Sequence, residues 1–187
     1  MPYIPNGYHG FRLSRYWYRS AFARDPAEVD RLTSDLIELS TRQNFAHWVQ
    51  LANVYRGWVR SVSGDTAKGI PWIEQGIKNY RANGTILVVS FLLGLKAEAW
   101  HRADRTSEAL EAIREANALV ERFENGHWSA ELHRLRGVFL AALGAEEAQI
   151  EASFQAAIST AREQKSVSLE RRAEATCAEY RRQRASA

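Results

Sequence analysis

The sequence has one cysteine (Cys177), one methionine and four prolines, with no proline beyond Pro71. A single thiol excludes an internal disulfide framework and any thiolate metal cluster. Few prolines leave room for long helices, because each interior proline costs a helix about 3 kcal/mol. Long apolar runs are also missing. The most hydrophobic stretch, Thr85 to Leu95, is roughly half of the ~20 residues a helix needs to cross a bilayer. The opening Met1-Pro-Tyr-Ile-Pro-Asn-Gly lacks the basic-then-apolar pattern of a secretory leader, so the expectation is a cytoplasmic protein with no membrane segment. Charge of one sign is scarce as well. Twenty-five basic residues face 22 acidic ones, and the +3 balance is small and spread along the chain, so it does not by itself argue for nucleic acid, which is not the expected partner. What is present is globular: 45% hydrophobic residues, 25% charged residues and six tryptophans, enough to build buried surface.

An internal repeat organises the chain. Turn-like sites recur at Arg24-Asp25-Pro26, Gly64-Asp65-Thr66, Asp104-Arg105-Thr106 and Gly144-Ala145-Glu146, in steps of 40 residues. Gly57, Ala97 and Gly137 keep the same step, each seven residues before its turn. Gly69 answers Ala109, Gly76 answers Ala116 and Ala157, and bulky Ile73, Ile113 and Phe154 follow. The last steps need one extra residue near Glu146–Gln149. A period of this length marks a stack of helical hairpins, in which one unit cannot bury its apolar faces without the next.

Each period reads as two helices. Asp25, Asp65 and Thr106 are expected N-caps, and Asn83-Gly84 and Asn125-Gly126 suit helix exits. Helices are expected at 10–23, 26–41, 45–63, 66–82, 86–103, 106–123, 127–143, 146–165 and 167–183. Small residues let the two helices of a hairpin cross closely, and Ile73, Ile113 and Phe154 are expected to fill the space between successive hairpins. The expected architecture is therefore all-α: a right-handed superhelix of tandem antiparallel hairpins, about four 40-residue units and a C-terminal capping helix. The repeat domain covers 10–183, with tails at 1–9 and 184–187.

Small residues at these places, with a Gly-Asp-like turn between helices, resemble the tetratricopeptide repeat. Phe45 to Trp58, Ala97 to Ala103 and above all Ala130-Glu-Leu-His-Arg-Leu-Arg-Gly137 resemble the C-terminal repeat region of bacterial adenylate/guanylate cyclase–ATPase signalling proteins, over roughly residues 20–183. The resemblance implies a bacterial signalling context. It does not imply cyclase activity here, since no Gly-x-x-x-x-Gly-Lys-Ser/Thr loop occurs; Gly64-Asp-Thr-Ala-Lys-Gly69 has lysine and glycines in another order.

No catalytic constellation is visible. The histidines (9, 47, 101, 127 and 133) form no His-x-x-x-His pair. Glu98 with His101, and His127 with Glu131, are each only half a metal site, so no metal, cofactor or enzymatic activity is expected. The alternating segment Phe11 to Arg19 could stack bases but reads more simply as a packed helix with solvated arginines. Arg171, Arg172, Arg181, Arg182 and Arg184 read as a solvated capping face, favoured near a helix C-terminus.

The resemblance implies a ligand face on the first helix of each hairpin. Carried over, it selects Val54, Trp58 and Ser61; Phe91, Glu98, His101 and Arg102; and Glu131, Arg134 and Val138. Aromatic anchors mixed with arginine suit an acidic or amphipathic peptide. The expected function is thus a non-catalytic regulatory scaffold that binds a protein or peptide, with homo-oligomerisation open. The alternatives are a small-ligand sensor, favoured if Trp58, Phe91 and Trp100 converge, and a detached regulatory tail of a cyclase-like protein.

Overall fold

The computed structural model describes residues 25–42, 46–82, 88–123 and 126–186. The chain divides into two compact units, the first ending at Thr85, and each is taken by itself. All regular elements among the described residues are helical. The expected helix at 10–23, the arginine–aromatic segment, Asn83-Gly84 and Asn125 lie outside the described residues.

The first unit holds α1 (Pro26–Arg42), α2 (Ala46–Val62) and α3 (Thr66–Ala82). Asp25 starts α1 as expected: its Oδ1 accepts from the N–H groups of Ala27 and Glu28 at 3.1 and 3.2 Å. Asp65 does the same for α3, accepting from Lys68 N–H at 3.3 Å. Val29, Leu32 and Leu36 follow at helical spacing and are buried. Gly57 sets the distance between α2 and α3. A Cβ there would stand 2.6 Å from the Gly69 carbonyl and 2.7 Å from Ile73 Cγ1. The two glycines therefore bring backbone against backbone, and Ile73 occupies the hollow that Gly57 leaves.

The second unit holds α4 (Val89–Arg102), α5 (Thr106–Phe123), a 3-10 turn (Gly126–Trp128), α6 (Ser129–Ala142), α7 (Glu147–Glu163) and α8 (Val167–Ala185). Here α4 pairs with α5 and α6 with α7, while α4, α6 and α8 touch in succession. The first helices of successive hairpins therefore share one layer. The 40-residue step repeats in this unit with the small-residue device altered: a Cβ on Gly137 would lie 2.6 Å from the Phe154 ring. The extra residue is visible too. α3 and α5 begin two residues after Gly64 and Asp104, whereas α7 begins three after Gly144.

Four turns among the described residues are closed by the same backbone device. Gly64, Asp104, Gly144 and Lys165 have φ of 98°, 59°, 66° and 53°. The following N–H groups of Asp65, Arg105, Ala145 and Ser166 reach back to the carbonyls of Arg60, Trp100, Leu140 and Ala161 at 2.9–3.0 Å. This pattern satisfies carbonyls that a helix end would leave bare. Side chains with a Cβ pay roughly 1 kcal/mol for that conformation, partly offset by the greater chain entropy of glycine. Lys165→Gly should raise stability by about 0.5–1 kcal/mol and Asp104→Gly by less, because aspartate tolerates the region better. Gly64→Ala should lower it by about 1 kcal/mol. Urea unfolding of the three variants orders them.

Three expectations are corrected. Thr106 is the first residue of α5 rather than its cap, and its hydroxyl meets His101 Nδ1 at 2.9 Å. Ile73 and Phe154 do not simply separate successive hairpins. Each fills the glycine hollow of its own hairpin, and Phe154 additionally packs with Ile150 and Cys177. Finally, α4 and α6 begin at Val89 and Ser129, and the stretch just before α6 is a 3-10 turn. Its Gly126 carbonyl accepts from Gln164 Nε2 at 2.5 Å, which ties the turn to the end of α7.

Candidate functional site

On α4, α6 and α8 the 3.6-residue period puts charged side chains where apolar ones would be expected. Glu98 on α4 and Glu131 and Arg134 on α6 are only 6–8% exposed. Buried charges at these positions demand partners, because desolvation otherwise costs several kcal/mol per ion. The partners are supplied. Arg134 Nε and Nη2 donate to the two Glu131 oxygens at 3.0 and 2.8 Å, a bidentate fork. Arg134 Nη1 also donates to Thr176 Oγ1 at 3.4 Å, and Arg172 Nη1 to Glu131 Oε1 at 3.5 Å. Burial alone would depress the Arg134 guanidinium, but the Glu131 carboxylate, its hydrogen bonds and the charge of Glu98 outweigh that and hold it above its usual value. The guanidinium is therefore charged at every physiological pH.

One turn further along α6 lies a groove of about 740 Å3. Val138, Ala141 and Ala142 of α6, Phe154 of α7 and Ala175 and Thr176 of α8 line it. Thr176 thus belongs to both features, joining the charge cluster to the groove. At the far end, Glu179 accepts from Gln183 Nε2 at 2.7 Å and pairs with Arg182, while Arg184 pairs with Glu147.

The sequence-selected residues divide by unit. In the first, Val54, Trp58 and Ser61 are 0–2% exposed. Val54 Cγ2 would lie 2.5 Å from a Cβ on Gly76, and Ser61 donates to the Gly57 carbonyl at 2.9 Å. Val54 and Ser61 serve the α2–α3 crossing, and all three present little to solvent. In the second unit, Glu98, Glu131, Arg134 and Val138 come together in the cluster and groove. Phe91 is buried against Trp128, ring centroids 4.3 Å apart. His101 is half-buried against Phe139 at 4.9 Å, and Arg102 is exposed. Arg172 and Thr176 were not selected. Arg172 was expected on a wet capping face, yet its side chain is 19% exposed and turned toward Glu131. Its neighbours do face solvent and tie α8 to α7, through Arg162 with Glu170 and Glu174 and Arg181 with Glu151.

His101 and His133 give the second unit a pH dependence. Burial and then the charge of Arg102 push the His101 imidazole below its ordinary value, against the weaker pull of Glu98 and Asp104. Burial and Arg136 do the same to His133. The unfolded chain therefore binds more protons below about pH 6.5. Stability should be full above that pH and fall as the pH drops toward 5, and thermal melts in a pH series should show the loss shrinking in a His101→Gln/His133→Gln variant.

Among the described residues no group of three or more His, Cys, Asp or Glu side chains is placed to hold a metal ion, and no helix is long and apolar enough to cross a membrane. Cys177 is buried, and that burial raises its thiol above the usual range.

Comparison with known proteins adds a fold. No family model matches the chain. An uncharacterized protein of Rhizobium meliloti (strain 1021) is 25% identical over 155 residues, which is 82% of this chain but only 15% of that protein. The chain thus spans a small part of its curated relative's length. Among solved structures, Bacillus thuringiensis PlcR in complex with the peptide PapR7 and DNA superposes with a TM-score of 0.73. The fold is tetratricopeptide-like. The alignment covers 93% of this chain and 62% of PlcR at 19% identity, a level at which architecture is shared and residues are not compared.

Proposed function

We propose that the chain is a regulatory module that binds a peptide segment of a partner on the α4–α6–α8 face. The observation that carries this reading is the placement of a satisfied charge cluster beside an apolar groove on the first helices of successive hairpins. A fully paired buried network adds rigidity and fixes a shape rather than raw stability, and a preorganised groove loses less entropy on binding. The architectural likeness to a protein solved with a peptide bound supports the reading. That protein was solved with DNA as well, and the proposal favours a peptide over nucleic acid because the +3 charge excess of this chain is small and spread along it.

The small-ligand alternative draws less support. Phe91 stacks on Trp128, and Trp100 lies between Lys96 and Arg105 at 4.2 and 5.0 Å, so neither joins the groove, whose aromatic lining is Phe154 and Tyr180. The signalling context rests on the resemblance of Ala130 to Gly137, and extends the proposal to a repeat region of residues 10–183 working inside a larger cyclase-like system. Its partner remains a protein or peptide, and its mode of action is binding without catalysis.

Selecting random dodecapeptides displayed on phage against the full chain, then titrating the enriched ones by calorimetry, tests the proposal. Binding should be micromolar or better and should fall about tenfold in Ala142→Trp, which fills the groove from an exposed position. Enriched peptides whose affinity ignores Ala142→Trp would place the site elsewhere.

A further inference from the structure

We infer that the groove selects a peptide by one uncharged aromatic side chain, which enters between α6 and α8 and rests against Tyr180. The inference rests on the peptide-binding reading and adds the chemistry of the ligand. The lining sorts by helix. The α6 wall is Val138, Ala141 and Ala142, Phe154 of α7 joins it, and every polar lining residue (Thr176, Glu179, Gln183 and Arg184) stands on α8. Alanines contribute from both helices, 141 and 142 on α6 and 175 on α8. Their methyl groups leave open the space that longer side chains would fill, and the result is a slot of about 740 Å3 between two helices.

Charge and shape decide the occupant. Among the lining residues only Glu179 and Arg184 are charged, and each is answered within the chain, Glu179 by Arg182 and Arg184 by Glu147. The Thr176 hydroxyl donates to the Arg172 carbonyl at 2.9 Å and accepts from Arg134 Nη1 at 3.4 Å. A charged side chain entering the slot would therefore shed its water for no waiting counter-ion, whereas an apolar one gains by burial. Among apolar side chains the lining favours a ring. Phe154 is buried, and Tyr180 is half-buried against it, with ring centroids 5.7 Å apart and planes tilted by 45°. A third ring against Tyr180 extends this tilted arrangement, which aromatic pairs prefer over a face-to-face stack. A flat side chain also enters a slot between two helices more readily than a branched one.

The test uses the full chain and the same displayed peptide library. Enriched sequences should share one Phe, Tyr or Trp. By calorimetry, an enriched peptide should lose at least tenfold in affinity when that residue becomes Leu, and all measurable binding when it becomes Lys or Asp. Tyr180→Leu keeps an apolar side chain against Phe154 and removes the ring. In that variant the ring-to-Leu loss should shrink to about threefold or less, since a pair of rings accounts for roughly threefold to tenfold in affinity. A general fall in affinity would move both peptides alike and leave the ratio unchanged. An unchanged ratio, or enriched peptides without a ring, overturns the inference while peptide binding stands. If none is enriched, both fail. Sedimentation of wild type and Ala142→Trp covers another occupant: self-association abolished by Ala142→Trp would assign the groove to a second copy and overturn the inference. A mixed single-stranded 12-mer DNA whose binding Ala142→Trp abolishes would assign the slot to a stacked base and overturn it equally.

Discussion

Replacing Glu131 with alanine should destabilise the second unit by about 3–5 kcal/mol, the range for removing one partner of a buried ion pair. Arg134 would remain, with a side chain 8% exposed, facing Arg172 instead of a shared carboxylate. Two cations would then be held together where one anion had joined them. Exposed pairs give a contrast. Arg31 bridges Glu28 and Asp35 on α1 with its side chain 60% exposed, and Asp35→Ala should cost no more than about 0.5 kcal/mol. Urea unfolding followed by far-ultraviolet dichroism measures both. A Glu131→Ala loss as small as that of Asp35→Ala would mean that the cluster is hydrated, and the fixed geometry assigned to it would be lost. Replacing Glu131, Arg134 and Arg172 together by Met or Leu should recover most of the stability, since a buried network exchanged for apolar volume is often neutral. Such a variant should still fail to position Thr176 and so bind peptide more weakly.

The second large effect concerns a single methyl group. Gly57→Ala should lower the stability of the first unit by about 2–3 kcal/mol. In an exposed helix the same change gains about 1 kcal/mol from propensity. At Gly57 the added Cβ would lie 2.6 Å from the Gly69 carbonyl and 2.9 Å from the Ile73 backbone nitrogen. Backbone atoms cannot swing aside as a side-chain tip can, so α2 and α3 must part, and Ile73 loses packing along the crossing. Gly94→Ala is the matched control. Its Cβ would meet Leu132 Cδ2 at 3.4 Å, an ordinary contact, and it should leave stability unchanged or raise it by up to about 1 kcal/mol. Thermal melting separates the two: at several degrees per kcal/mol for a unit of this size, the first should melt 10 °C or more below wild type and the second at or above it.

These two sites differ in how readable they are from sequence. The glycines declare themselves, because a close helix crossing tolerates only the smallest residues and the 40-residue step repeats them. The turn register is legible for the same reason: among the described residues one left-handed residue closes each hairpin turn, and glycine occupies it at 64 and 144. Asp104 and Lys165 take the same conformation with side chains that give less warning. Thr106 shows where local reading misleads. A threonine after a turn looks like a cap, but α5 starts one residue earlier than that reading needs, and the hydroxyl pairs with His101 instead.

The candidate site was legible in half. Glu131, Arg134 and Val138 share one stripe of α6 and are selected through the tetratricopeptide resemblance. Val54 and Ser61 on α2 are spent on the glycine crossing, because Gly69 and Gly76 draw α3 onto that side of the helix, and Trp58 is buried as well. Arg172 and Thr176 escaped because a basic terminal helix looks like a solvated cap. Only the approach of α8 to α6 turns these two inward, and that distance is tertiary. Buried volume such as the groove has no sequence signature of its own, since alanines at 141, 142 and 175 serve equally well in a tight core.

Hydrogen–deuterium exchange on the full chain, with and without an enriched peptide, tests the central claim most directly. Peptide binding on the first-helix face predicts slowed exchange in the last turns of α4 and α6 and in residues 172–184 of α8, with the exposed sides of α5 and α7 unchanged. Protection confined to α5 and α7, or to α1 and α3 of the first unit, would contradict the assignment of function to the charge cluster and its groove.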